Sequence, residues 1–181
     1  MITDMTKGKP GQMLWRFSLP MLVSVMFQQF YNIADSVIAG RFAGEDALAA
    51  VGASYPITMI FMAVAVGCNI GCSVVVSQLF GEKHMNQMKT AVTTSLIAVG
   101  GLSLLLTALG LLFSVPMMRA LNTPANIFDD GALYLGIYIG GLPFLFLYNV
   151  CTGVFTALGD SRTPLYFLIG SSLGNIALDL W

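Results

Sequence analysis

The sequence predicts an all-α membrane protein, a polytopic helical bundle of about five transmembrane helices. Of its 181 residues, 56% are hydrophobic and 9% are charged, whereas about a quarter of the residues in a soluble domain are charged. Long charge-free runs separate the charges, and each run can supply the roughly 20 apolar residues that cross the hydrocarbon of a bilayer. These runs are residues 17–34, 47–81, 90–118 and 131–159.

The predicted organisation is a cytoplasmic N-terminal tail, residues 1–12, followed by a transmembrane domain, residues 13–181. Glycine and charge separate the first two helices, and Pro164 is suited to the first turn of the fifth. Pro20 and Pro143 each remove a backbone donor, so each can kink its helix. The predicted helices are residues 13–40, 48–80, 91–117, 132–158 and 164–181, the last still running where the sequence stops.

The distribution of basic residues predicts a cytoplasmic N-terminus. Short cytoplasmic loops retain Lys and Arg, and six of the eight basic residues fall on the N-terminal side of the predicted bundle. The acidic Glu45, Asp46, Asp129 and Asp130 are predicted in loops on the opposite side. A net charge of −1 excludes the broad basic face that nucleic acid requires. The expected partners are therefore the lipid bilayer and small solutes, with no nucleic acid.

Two acids, Asp35 and Asp179, are the only ones predicted inside helices. A charged Asp at the bilayer centre costs roughly 2.5 to 3.5 kcal/mol, so such residues face a bundle interior or a watery cavity. Counted from Arg16 and Arg162 at 1.5 Å per residue, they lie about 28 and 26 Å from the cytoplasmic side. Two carboxyls in one poorly hydrated pocket hold at least one proton more tightly than free Asp. This arrangement predicts a proton-coupling site.

Polar residues at helical spacing accompany both acids. Tyr31 lies one turn before Asp35, and Asn175 lies one turn before Asp179, which places each pair on one helix face. In lipid such a strip turns towards neighbouring helices, although isolated Ser, Thr and Asn also serve as interhelical contacts. The further polar candidates are Ser24, Gln28, Asn32, Asn149, Thr152, Thr156 and Ser171, of which Gln28, Asn32, Thr152 and Ser171 are expected to line a solute cavity.

No enzyme active site or metal site is predicted. The three cysteines lie inside apolar runs as packing residues, with no further Cys or His near enough to complete a metal site. Two membrane acids together with residues 157–160 resemble the paired carboxylates of an intramembrane aspartyl protease. Asp160, however, lies in a loop beside Pro164, where an ordinary turn or a helix N-terminus explains it.

Five stretches carry a resemblance to a known family. They are Pro20 with residues 29–35, the turn 40–52, residues 78–81, residues 157–164 and residues 175–179. In this order and spacing they resemble the multidrug and toxin extrusion (MATE) family of secondary transporters, over essentially the whole chain. The resemblance implies a twelve-helix exporter of two six-helix lobes in the plasma (inner) membrane. Such an exporter expels small organic cations, mostly amphipathic drugs, against proton or sodium entry, and needs no other cofactor.

The resemblance also implies an ion site, formed by an acid of the first helix and an Asn and Asp pair of the fifth. By matching motifs these residues are Asp35, Asn175 and Asp179, which are also where sodium would bind, with Tyr31 and Asn149 as neighbours. The sequence ends within the fifth predicted helix. The chain is therefore expected to be a truncated first lobe whose partners are the missing C-terminal helices or second lobe.

Two other readings remain open. A lipid-linked precursor flippase of the same superfamily would favour several Arg residues in its cavity for pyrophosphate, and the apolar runs contain no Arg. The second reading is a membrane fragment that only packs against partners and does not transport.

Overall fold

The fold is a bundle of α-helices. A computed structural model describes residues 10–42 and 44–179, and it contains no strand in these ranges. The predicted all-α class is confirmed. The side chains of Asp35, Asp179 and a few other helical residues lie outside the described part. The helices are α1 Pro10–Phe42, α2 Glu45–Gly81, α3 Met85–Ala120, α4 Ala125–Gly140, α5 Leu142–Ala157 and α6 Arg162–Asp179.

The predicted fourth helix is broken. Instead of one helix over residues 132–158, α4 and α5 meet at Gly141 with a bend of 47°. The Gly141 N–H donates to the carbonyls of Ile137 and Tyr138 and closes the last turn of α4. Pro143 then stands at the start of α5, where it has no N–H to continue the α4 ladder. The kink expected at Pro143 is confirmed, and the five predicted helices become six helical segments.

Apolar composition distinguishes three spans among the described residues. α2 and α3 are each long and apolar enough to cross a membrane, and the bent α4–α5 pair qualifies when taken as one span. α1 and α6, which correspond to the first and fifth predicted spans, do not reach this composition. Both helices carry polar residues along their length, and these residues lower their mean hydropathy.

The acids near the predicted loops require a correction. α4 begins at Ala125 and includes Asp129 and Asp130, while Glu45 and Asp46 form the first turn of α2. The prediction that only two acids lie within helices is therefore wrong. The physical reason is that these helices extend beyond the charge-free runs, and the first turn of a helix favours negative charge through the helix dipole.

The apolar core lies among α2, α3, α4 and α5. Phe146 of α5 and Leu135 of α4 are fully buried in it, and Phe61 of α2 packs with them. Gly153 allows α2 and α5 to approach closely, because a Cβ there would lie 3.0 Å from the Asn69 carbonyl oxygen. In lipid, such close packing and interhelical hydrogen bonds hold helices together.

α1 and α6 form a separate pair beside this core. They pack mainly against each other, and their described residues contribute no buried hydrophobic side chain. α1 continues as a helix through Pro20. The looser packing leaves space between the α1–α6 pair and α5, and the functional candidates lie there.

Candidate functional site

Two cavities lie where α1 and α6 face α5. The larger has a volume of about 480 Å³ and also reaches α2 and the loop between α5 and α6. The smaller has a volume of about 290 Å³ and is lined by α1, α5 and α6. Gln28, Tyr148 and Leu168 line both cavities, so the two spaces adjoin each other.

A hydrogen bond joins α1 and α6 at the smaller cavity. The Tyr31 hydroxyl donates to Asn175 Oδ1 over 2.9 Å. Both residues line this cavity, although 144 positions separate them in the sequence. The two polar strips predicted from helical spacing therefore do meet, and they meet at the residues placed one turn before each acid.

The side chains of Asp35 and Asp179 lie outside the described residues. Their backbones belong to α1 and to the last residue of α6. Each follows by one helical turn a residue of the Tyr31–Asn175 bond, and side chains four apart on a helix are neighbours. The ion site at Asp35, Asn175 and Asp179 thus remains a prediction, of which the structure describes only the Asn175 side chain.

The four residues predicted to line a solute cavity all line one of these two spaces. Asn32 and Thr152 line the larger cavity, Ser171 lines the smaller, and Gln28 lines both. The Asn32 amide donates to Gln29 Oε1 over 3.2 Å, and the Ser171 hydroxyl donates to the Leu168 carbonyl over 3.1 Å. These intrahelical bonds leave the side chains at the cavity wall.

Asn149 is placed apart from the Tyr31–Asn175 bond. It lines the larger cavity, is largely buried, and donates its amide to the Leu145 carbonyl of its own helix over 2.9 Å. Asn149 is not part of the described lining of the smaller cavity. The prediction that Asn149 is a neighbour of the ion site stays a prediction.

Two polar lining residues were not among the candidates of the sequence analysis. Tyr148 lines both cavities, and Ser172 lines the smaller one. Ser172 precedes Asn175 by three positions, a spacing that puts both on one helix face, so this signal was present. Tyr148 precedes the predicted Thr152 by four positions, a comparable spacing, but an aromatic residue in an apolar run is usual in a membrane helix.

The loop between α5 and α6 forms a tight polar turn. Gly159 has φ of +79°, and the buried Asp160 carboxylate accepts hydrogen bonds from the Thr163 hydroxyl and from the N–H groups of Arg162 and Thr163. Burial raises the pKa of Asp160, but hydrogen bonds to the carboxylate, those from Thr163 and Arg162 among them, outweigh burial, and its pKa falls to about 2. The interpretation of Asp160 as a turn residue agrees with this geometry.

Apolar spans around cavities that polar side chains help to line are typical of a polytopic membrane protein of the transporter class. The chain belongs to the MatE family, whose model matches residues 20–181. The resemblance to MATE transporters inferred from five sequence stretches is confirmed.

Named relatives agree with this assignment. The chain is 34% identical to the "Probable multidrug resistance protein YoeA" of Bacillus subtilis over 95% of this chain and 38% of that protein. It is 29% identical to the "FAD transporter" of Shewanella oneidensis over 93% of this chain and 37% of that protein. Thus it spans less than two fifths of the length of these relatives.

A solved structure shares the fold. A MATE protein crystallised in complex with MaD3S superposes with a TM-score of 0.90 at 25% sequence identity. The match covers 99% of this chain and 41% of that one. The chain thus has the fold of the N-lobe portion of a MATE transporter. Members of the MATE family are transporters rather than enzymes.

Proposed function

We propose that this chain forms the ion-binding portion of a secondary active multidrug exporter in the plasma (inner) membrane. The exporter antiports cationic amphipathic compounds against protons or sodium ions. Asp35 and Asp179 exchange the coupling ion, and Tyr31 and Asn175 hold the two helices that bear these acids. The remaining helices of the exporter act with this chain.

The observation that carries the proposal is the hydrogen bond from Tyr31 to Asn175 across the smaller cavity. It supports the expectation that the polar strips of α1 and α6 face each other. Ionisable residues within a membrane bundle mark ion pathways and proton relays. A coupling ion drives transport only if it binds one conformation of this pocket better than the other.

The cavity lining suits a cationic solute. Met21, Met62 and Tyr148 offer adaptable apolar and aromatic surface in the larger cavity, and aromatic faces attract cations. The described linings of the two cavities include no Lys or Arg. That absence of positive charge disfavours the pyrophosphate of a lipid-linked precursor, and equally the anionic FAD that the Shewanella relative is named for.

The test is Asp35→Asn. This change keeps the size of the side chain but removes its exchangeable charge, so an ion gradient no longer favours one conformation of the pocket. We expect ion-driven export to fall to the rate seen without a gradient. Ethidium export from energised vesicles, driven in turn by a proton and by a sodium gradient, measures this loss and identifies the ion.

The matched control is Asp130→Asn. Asp130 is an exposed acid of α4 that lines neither cavity in the described part of the chain, so export should continue at the parent rate. Immunoblotting of the membrane fraction confirms that both variants are inserted. Parent-level export by an inserted Asp35→Asn protein would refute the proposal.

A further inference from the structure

A second polar contact joins α1 to the rest of the bundle. The Ser161 hydroxyl, in the α5–α6 loop, donates to the Phe17 backbone carbonyl of α1 over 3.1 Å. Ser161 is only 7% exposed. The contact lies at the opposite end of the α1–α6 pair from the Tyr31–Asn175 bond.

The Phe17 carbonyl belongs to the turn that Pro20 weakens. Pro20 has no N–H to offer the Arg16 carbonyl, and its ring crowds the turn before it. Membrane helices tolerate such a turn when side chains from neighbouring segments bond to its backbone, and Ser and Thr often do so. Ser161 supplies such a donor from outside the helix to the carbonyl next to the freed one, that of Phe17, three residues before Pro20.

The α5–α6 turn holds Ser161 in a fixed position. Its neighbour Asp160 is anchored by three hydrogen bonds to Arg162 and Thr163, at 2.8 to 3.1 Å. Gly159 supplies the left-handed backbone conformation before it, which favours glycine. The turn that bears the hydroxyl is itself hydrogen-bonded. The position of the hydroxyl relative to α1 is therefore fixed by the turn.

Ser161 also bounds the larger cavity. It lines this space together with Thr156 near the end of α5 and Pro164 in the first turn of α6. These residues mark the end of the cavity nearest the α5–α6 loop, which is the cytoplasmic end in the predicted orientation. The Ser161–Phe17 bond therefore joins α1 to the loop at this end of the cavity.

We propose that Ser161 is a positioning residue that holds the Pro20 turn of α1 against the α5–α6 loop and so closes the cytoplasmic end of the larger cavity. The proposal deepens the proposed function, on which its use in transport rests. The closure itself requires no solute and no ion gradient. It can therefore be tested by access to the cavity alone.

The experiment measures thiol modification of Thr156→Cys by a membrane-impermeant maleimide. The full-length protein is used in membranes, with Cys68, Cys72 and Cys151 replaced by Ala, and the reagent is added to each membrane face separately. Adding Ser161→Ala removes one hydrogen bond of ordinary strength, so we expect modification from the cytoplasmic face to become about fivefold faster. Modification from the outer face should not change.

Two further variants separate positioning from general loosening. Ser161→Thr keeps the hydroxyl, so cytoplasmic labelling of this variant should proceed at the parent rate. Ser114→Ala removes an equally buried hydroxyl, 8% exposed in α3, which among the described residues donates to the Leu111 carbonyl of its own helix over 3.1 Å. This control should leave both rates at the parent values.

An unchanged cytoplasmic rate in Ser161→Ala, or an equal increase from both faces, would overturn the proposal. These outcomes are distinct from failure of the proposed function, because labelling is measured without solute or gradient. Export that persists in Asp35→Asn would refute ion coupling at that acid. It would not affect the conclusion drawn from a faster cytoplasmic labelling rate in Ser161→Ala.

Discussion

The core, formed by helices α2 to α5, and the pair formed by α1 and α6 are stabilised by different kinds of contact. In the core, large apolar side chains such as Phe146 and Leu142 are fully buried, and helices approach closely at Gly153. The α1–α6 pair is described by polar contacts. Tyr31 of α1 bonds to Asn175 of α6, and Ser161 of the α5–α6 loop bonds to Phe17 of α1.

This difference indicates a division of labour. A closely packed set of helices resists deformation, because packed interiors change between discrete arrangements and do not deform continuously. A pair held by few hydrogen bonds can move at small cost. We interpret helices α2 to α5 as the fixed frame and the α1–α6 pair as the part that would respond to ion and solute under the proposed function.

The largest expected effect tests the packing of the frame. Phe146→Ala removes a fully buried ring from α5 and should destabilise the protein by about 3 to 5 kcal/mol, because a cavity remains in the core. Phe30→Ala in α1, where the ring is 66% exposed, should cost far less. Denaturant titration in mixed micelles measures both, and similar losses would contradict the division into frame and mobile pair.

A smaller effect is expected at the junction of the two regions. Asp160→Asn should destabilise the protein by about 2 kcal/mol at pH 7, because the carboxylate is buried and accepts three hydrogen bonds in the α5–α6 turn. Its folded-state pKa of about 2 lies below the ordinary 3.8. The stabilisation is therefore complete above the ordinary value and is lost as pH falls towards 2.

Thermal unfolding in detergent at pH 7 and at pH 3 checks this dependence. The difference between the parent and Asp160→Asn should narrow at pH 3, because the parent then begins to lose the stabilisation that the variant lacks throughout. Asp130→Asn serves as the exposed control. A difference that widens on acidification would contradict the expected sign.

The smallest effect concerns the Tyr31–Asn175 bond itself. A double-mutant cycle with Tyr31→Phe and Asn175→Ala should give a coupling free energy of about 0.6 kcal/mol, the average for hydrogen bonds between membrane helices. The longer contact between Asn126 and Asp46, at 3.4 Å and lining neither described cavity, supplies the control pair, with a coupling near zero. Equal coupling free energies in the two pairs would contradict the expectation that the Tyr31–Asn175 bond is the stronger one.

The sequence predicted the fold class well because hydropathy and prolines act locally. Charge-free runs located the apolar helices, and Pro143 predicted a kink that is present as a bend between α4 and α5. Helix ends were harder to predict. Asp129 and Asp130 belong to α4 since a helix can continue beyond the hydrocarbon, where charges are solvated and no longer mark a loop.

The candidate site was predictable in part. Spacing on one helix placed Tyr31 with Asp35, and Asn175 with Asp179, but the Tyr31–Asn175 contact itself depends on how α1 packs against α6. The bond from Ser161 to Phe17 was beyond prediction for the same reason. A backbone carbonyl acceptor leaves no mark in the sequence, because every residue carries one.

The length of α1 places its two polar contacts in different surroundings. Its 33 residues extend about 50 Å, well beyond the roughly 30 Å of bilayer hydrocarbon. Trp15, 68% exposed and close to Phe17, is the kind of residue that sits among lipid headgroups. Tyr31 lies about 21 Å further along the helix. Headgroup water can therefore replace the Ser161 bond when it breaks, whereas the Tyr31 bond, at the depth of the hydrocarbon, can be replaced only from within the cavity that both its residues line.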